Sequence, residues 1–269
     1  MPAIEAPPSA GRRDALVLAR GYTPAARALD WVAVLTFGAV LLWLLVRLWP
    51  AVLASPWWAL SAALLGYLAA DLISGLVHWG ADTWCSVDLP VLGRTFLRPF
   101  REHHLDPTAI TRHDFVETNG NSCLFSFPLL VLAVFLAPQS PEDQNPFWST
   151  FLGALVFWVM CTNQFHKWAH TAFPRAPVAW LQRWHLVLPP AHHATHHAYP
   201  FTRSYCITTG WMNGPLNALG VFPTLERAIT ALTGALPRAD DLGPAGARAT
   251  APEPGHAAAT ARRTVSPGS

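Results

Sequence analysis

Residues 147–170 read FWSTFLGALVFWVMCTNQFHKWAH, and the fold turns on this stretch. From Phe147 to Thr162 it is apolar and uncharged, and it then passes without a break into a polar turn. His166 and His170 lie four apart in that turn, so a continuous helix sets both imidazoles on one face. An apolar helix thus ends in a pair of potential metal ligands at the membrane edge. A zinc protease would carry Glu directly after the first histidine, as its general base in HExxH. Lys167 stands there instead, which argues against a hydrolase.

Outward from this stretch lie three more apolar runs, about 31–48, 57–77 and 122–137, the last of them short. A spanning helix needs ~20 apolar residues. One such run could be the core helix of a soluble protein, but four in 269 residues read as membrane spans. The composition agrees, with 52% hydrophobic and 13% charged residues. The sequence therefore predicts an all-α integral membrane domain of four transmembrane helices, with the fourth span at about 147–164.

The rest of the composition narrows the function. A net charge of +2 gives no reason to expect a nucleic-acid partner. Cys85, Cys123, Cys161 and Cys206 are far apart, which indicates neither a disulfide framework nor a cysteine zinc site. No signal peptide is read at the N-terminus, because residues 1–28 are Pro/Ala-rich with no apolar core and are expected to form a flexible arm. The membrane domain is assigned to residues 29–236. Its end, 215–236, reads as an amphipathic helix with Leu216, Leu219, Leu225, Ile229 and Leu232 at helical spacing, either lying along the membrane surface or, in the favoured reading, covering the domain. Residues 237–269 are too poor in large apolar side chains to bury a core and are expected to be disordered.

Arginine placement sets the expected orientation, since cytoplasmic loops carry the excess of positive charge. Arg94, Arg98, Arg101 and Arg112 lie between the second and third runs, and Lys167, Arg175, Arg183, Arg203 and Arg227 follow the fourth. The 138–147 loop has neither Lys nor Arg. Both termini and the histidine-bearing segments are therefore expected on the cytoplasmic side.

Eleven of the twelve histidines fall between His78 and His197. His193, His196 and His197 make an HxxHH pattern, His103 and His104 are adjacent, and His78 closes the second apolar run. Imidazole suits several transition metals, so type alone does not choose one. Number does more: catalytic zinc uses three protein ligands. Eight clustered histidines (78, 103, 104, 166, 170, 193, 196 and 197) exceed that need and suffice for two iron ions, with room left for O2 as co-substrate. His113, His185 and His192 lie outside the clusters and read as partners of the ligands or as headgroup contacts. Asp82, one turn beyond His78, reads as a carboxylate that orients His78 through its ring N–H, with direct ligation as the alternative. Arg98, Arg101 and Arg112 are either headgroup contacts or simply positive-inside residues.

Three stretches carry a resemblance: HWGADTW at 78–84, REHHLDPTAITRHDF at 101–115 and YCITTGW at 205–211, together with NQFHKWAH at 163–170. Over roughly 71–226 the chain resembles the plasmanylethanolamine desaturases, also called the Kua or CarF family. Their fold and histidine pattern are shared by a plant plastid fatty-acid desaturase branch. The resemblance implies iron-dependent desaturation of a membrane lipid, with the eight histidines at the family's histidine positions. In the ethanolamine branch a 1-O-alkyl chain becomes the vinyl ether of a plasmalogen, and His113 in TRHDF matches that branch. An acyl-chain desaturase or hydroxylase would share the same ligands, and a non-catalytic metal-binding regulator is a third reading that the complete clusters disfavour. No cytochrome or ferredoxin motif appears, so electrons would come from a separate cytochrome b5-like or ferredoxin-like protein.

Overall fold

The computed structural model describes residues 10–84, 86–90, 92–138, 146–198 and 201–238. Among them every regular element is helical. Helix α1 (Ala10–Ala19) leads into α2 (Pro24–Ala54), which is capped by the Thr23 hydroxyl accepting from the Ala26 amide at 3.2 Å. Pro24 and Pro56 occupy first-turn positions, where the missing N–H costs nothing, and Ser55 alone separates α2 from α3 (Pro56–Thr83). A π-helical turn, Gly93–Leu97, precedes α4 (Arg98–Leu105). Asp114 then caps α5 (Phe115–Phe135), accepting from the Glu117 amide at 3.0 Å. Helix α6 (Phe147–Ala169) follows. After it come α7 (Ala176–Arg183), α8 (Pro190–Ala194), α9 (Asn213–Ala218) and α10 (Val221–Thr233).

The long helices bury one stripe each and expose apolar side chains elsewhere. In α2, Ala33, Phe37, Leu41, Leu44 and Leu48 face the bundle, while Leu42, Trp43, Leu45, Val46 and Trp49 are 51–67% exposed. A water-soluble helix would carry polar residues on that outer face; here it meets lipid. The chain is an integral membrane protein, and α2, α3 and α5 are each long and apolar enough to cross a bilayer. Helix α6 has 23 residues but is polar toward its end, where Thr162, Asn163, Gln164, His166 and Lys167 lie. It packs against both α3 and α5, and α2 packs against α5. Gly66 permits the α3–α6 approach, since a Cβ there would lie 2.7 Å from the Phe151 carbonyl oxygen.

Three details depart from the sequence reading. The N-terminal arm contributes α1 and the first turn of α2. The third apolar helix starts at Phe115 rather than 122, because Asp114 supplies a cap ahead of the apolar run. The amphipathic 215–236 segment is two helices, broken where Gly220 takes a left-handed conformation (φ 59°). Its covering role is seen at Phe222, which is buried against Trp79 and Tyr205. The 139–145 part of the acidic loop and the tail from 239 lie outside the described residues.

One buried carboxylate fixes the C-terminal half onto α3. Asp71, fully enclosed, accepts the amides of Thr208, Thr209 and Gly210 on one oxygen (2.8–3.1 Å) and that of Met212 on the other (3.0 Å). Ser74, one turn on, accepts from the Ile207 amide at 3.0 Å. Asp71, Ser74 and His78 lie on one helical face, so the strip that holds the loop also presents a site residue.

Candidate metal centre

Four parts of the chain deliver side chains to one place. Helix α3 supplies His78 and Asp82, and α4 supplies His103 and His104. Helix α6 ends on His166 and His170, and α8 with the turn after it supplies His193, His196 and His197. The donors fall into two groups, each with its donor atoms within 4.8 Å of one another: His103, His166, His170, His193 and His197 in one; His78, Asp82, His104 and His196 in the other. All eight clustered histidines of the sequence reading come together. Asp82 stands among the donor atoms of the second group, which fits the ligating reading of this residue.

Distances within the first group test whether a cation fits. The Nε2 atoms of His103 and His197 are 2.9 Å apart, those of His197 and His193 3.0 Å, and those of His193 and His166 2.8 Å. An imidazole Nε2 either donates one hydrogen bond or accepts one. His197 and His193 each meet two such neighbours, so hydrogen bonds cannot satisfy the chain. Right-angled ligands on a metal–nitrogen bond of about 2.1 Å would lie ~3.0 Å apart. The spacing is thus that of lone pairs converging on a common ion. His170 Nε2 is buried without a hydrogen-bond partner.

In the second group the Asp82 Oδ2 lies 3.2, 3.3 and 3.6 Å from the Nε2 atoms of His78, His104 and His196. Two tautomers follow from the backbone. His78 Nδ1 meets the Tyr205 carbonyl at 3.0 Å and His196 Nδ1 the Arg203 carbonyl at 3.1 Å. A carbonyl only accepts, so each Nδ1 carries the proton and each Nε2 points its lone pair inward. Burial, reinforced by neighbouring imidazoles, holds His103, His193 and His196 well below the ordinary histidine range. Burial likewise pushes His170 down to about 4 and His197 to about 3. These rings are neutral at physiological pH, the form that binds metal.

The remaining sequence-predicted residues surround this core. Arg101 is fully buried, donates to the Ala81 carbonyl and lies 3.5 Å from Asp82 Oδ1, which removes it from any headgroup. Arg98 is also buried, paired with Glu102 at 2.8 Å and Glu117 at 3.4 Å. His113 meets the same acids at 3.3 and 3.7 Å. Arg112 is partly exposed and pairs with Asp106 at 2.9 Å. His192 contacts Asn213 Nδ2 at 3.1 Å, and Asn213 in turn holds both backbone groups of Cys206. His185 is exposed, and its carbonyl accepts from the Trp211 indole at 2.8 Å. The sequence reading passed over Asp71, Ser74, Tyr205 and Asn213. A signal existed for Asp71, because a carboxylate inside an apolar run is costly and marks a functional position.

Beside the histidines runs an apolar cavity of about 160 Å³, walled by α3 (Ile73, Val77), α5 (Phe125, Leu129) and α6 (Val159, Asn163) and capped by Phe96 and Phe100. A recess of about 40 Å³ shares Phe100 and Asn163 with it and is lined by His103 and His166.

Comparison with known proteins agrees with this architecture. Residues 67–240 match the lipid desaturase domain family. The plasmanylethanolamine desaturase of Myxococcus xanthus is 56% identical over 238 residues, 88% of this chain and 84% of that one. Plasmanylethanolamine desaturase 1 of Mus musculus is 48% identical over 87% of each chain. Fatty acid desaturase 4, chloroplastic, of Arabidopsis thaliana is 33% identical over 66% of this chain and 53% of its own. No solved structure matches. Sharing its domain over 67–240 and most of its length with two of them, the chain belongs to the plasmanylethanolamine desaturase family of membrane lipid desaturases.

Proposed function

We propose that the protein introduces the vinyl ether double bond of plasmenylethanolamine into the 1-O-alkyl chain of plasmanylethanolamine. The observation that carries this reading is the pair of adjoining donor sets, five imidazoles beside three imidazoles and a carboxylate. They suit two iron ions, with His78, His103, His104, His166, His170, His193, His196 and His197 as ligands. Asp82 joins them on the second ion. When bound, iron supplies the oxidising power, drawn from O2, that unactivated C–H bonds require. Hydrogen leaves C1′ and C2′, and with two further electrons and two protons one O2 becomes two waters. The protein contributes placement and exclusion of side reactions.

The chain's own residues do the holding. The carbonyls of Tyr205 and Arg203 keep His78 and His196 in the ligating tautomer. Arg101 balances the Asp82 carboxylate inside the protein, where a lone charge is costly. Helices α2, α3, α5 and α6 cross the membrane in alternation, which leaves both termini and the metal centre on the cytoplasmic side. Electrons then arrive from a separate cytochrome b5-like or ferredoxin-like donor.

The test is expression in a host without plasmalogens, followed by lipid mass spectrometry with and without an added 1-O-alkyl lipid. Acid-labile vinyl ether lipids should appear only with the precursor. Desaturated or hydroxylated acyl chains without vinyl ether would favour the second reading, to which the 33% identity with the chloroplast fatty acid desaturase points.

A further inference from the structure

We infer that the 160 Å³ cavity is a lateral slot through which one saturated hydrocarbon chain of a membrane lipid enters sideways from the bilayer, between α3 and α5, and reaches the histidines. The inference deepens the proposed function and rests on it for the identity of the chain. Its basis is where the cavity begins and ends and what its walls do.

The outer end faces lipid. Val77 on α3 and Phe125 and Leu129 on α5 line the cavity and remain 41%, 46% and 36% exposed on helices long and apolar enough to span. The inner end faces the metal centre. Phe100 and Asn163 belong both to the cavity and to the recess lined by His103 and His166. An unbroken edge of aromatic rings joins the two ends. Phe125 meets Phe96 at 4.6 Å between centroids, Phe96 meets Phe100 at 5.3 Å, and Phe100 meets His78 at 5.6 Å. Phe96 rides on the π-helical turn Gly93–Leu97, a rare geometry that recurs at functional sites.

The walls are mostly apolar, and the polar residues among them are engaged with the protein. Ser74 donates to the Asp71 carbonyl at 2.7 Å, Ser126 to the Ser122 carbonyl, and Thr162 to the Trp158 carbonyl at 2.9 Å. The Asn163 amide spends its hydrogens on the Thr118 carbonyl and the Ser122 hydroxyl, both at 3.0 Å. Each of these four turns its donor into the wall and the fifth, Ser122, takes up an Asn163 hydrogen on its hydroxyl oxygen, so a hydrocarbon meets a largely apolar lining. Two larger hollows lack this connection. One of about 430 Å³ between α2, α3 and α6 and one of about 620 Å³ beside Gly21 and Leu89 include no histidine.

The experiment uses the metal-loaded protein in lipid nanodiscs with 1-O-alkyl lipids bearing a photoactivatable diazirine, either on the sn-1 alkyl chain or on the sn-2 acyl chain. After illumination, peptide mass spectrometry should place the sn-1 adducts on residues 73–77, 96–100 and 122–129, and the sn-2 adducts on lipid-facing positions outside the slot. Leu129→Trp, which fills the slot, should abolish the sn-1 adducts and lower turnover about a hundredfold, with the iron content unchanged. Leu42→Trp, on the exposed face of α2, should alter neither. Adducts in the α2–α3–α6 hollow, or sn-1 adducts that survive Leu129→Trp at normal turnover, would overturn the slot. Slot adducts on a protein that desaturates an acyl chain would retain the slot and remove only the ether-lipid assignment.

Discussion

At the scale of single residues, the proposed function depends on nitrogen lone pairs that hydrogen bonds among the rings cannot all satisfy. His170→Ala and His197→Ala each remove one donor from the five-imidazole group. Each is expected to abolish product and lower bound iron, while the protein still inserts in the membrane, as immunoblots and elemental analysis of membrane fractions will show. His256→Ala, in the tail beyond the described residues, should be silent. Asp82→Asn is more selective. It turns one acceptor oxygen into an amide donor facing the inward lone pairs of His78 and His196, so iron should fall to about half of the proposed two per chain while the proposed five-histidine site stays occupied. Loss of both ions, or full occupancy, would remove Asp82 from the second group. Stoichiometric zinc without iron in an active preparation would remove iron altogether. The histidines were legible because i, i+3 and i+4 spacings translate directly into shared faces. The choice between orienting and ligating roles for Asp82 was not legible, because sequence places it only relative to His78, whereas its neighbours His104 and His196 come from elsewhere in the chain.

At the scale of elements, the binding of the 206–212 loop to α3 is what brings the two histidine halves together. Asp71→Asn leaves one acceptor oxygen and sets an amide against one or more of the four donors. It is expected to destabilise the protein by about 2 kcal/mol. Thermal unfolding in detergent measures this, and faster hydrogen exchange at 207–212 locates it; unchanged exchange there would contradict the anchoring role. Gly66→Leu forces α3 from the Phe151 carbonyl and should cost about 3 kcal/mol. The long helices were readable from apolar length. The YCITTGW stretch stood out in the sequence without a physical role, because its partner Asp71 is more than 130 residues away. The break at Gly220 was hidden for a different reason: the apolar periodicity runs on through a residue whose backbone turns left-handed.

At the scale of the whole molecule, the expected arrangement is that of one membrane and one accessible face. Arginine placement leads to the expectation that the candidate metal centre lies on the cytoplasmic side. In a cysteine-free background, a cysteine at Glu142 should therefore react with an impermeant reagent added from outside, and one at Asp106 or Thr195 should not. The reverse pattern would invert the protein. Reaction at all three would break the four-span arrangement, since the two histidine halves could then no longer share a face.

The Asp71 anchor also imposes an order on biogenesis. Its carboxylate is made 137 to 141 residues before the amides that receive it. An Asp in the middle of a spanning helix costs roughly 3 kcal/mol on insertion scales, so α3 is expected to enter lipid less readily until residue 212 has been translated. A chain stopped between α6 and that loop should therefore insert less efficiently than the full chain, which glycosylation or protease mapping of truncated products measures.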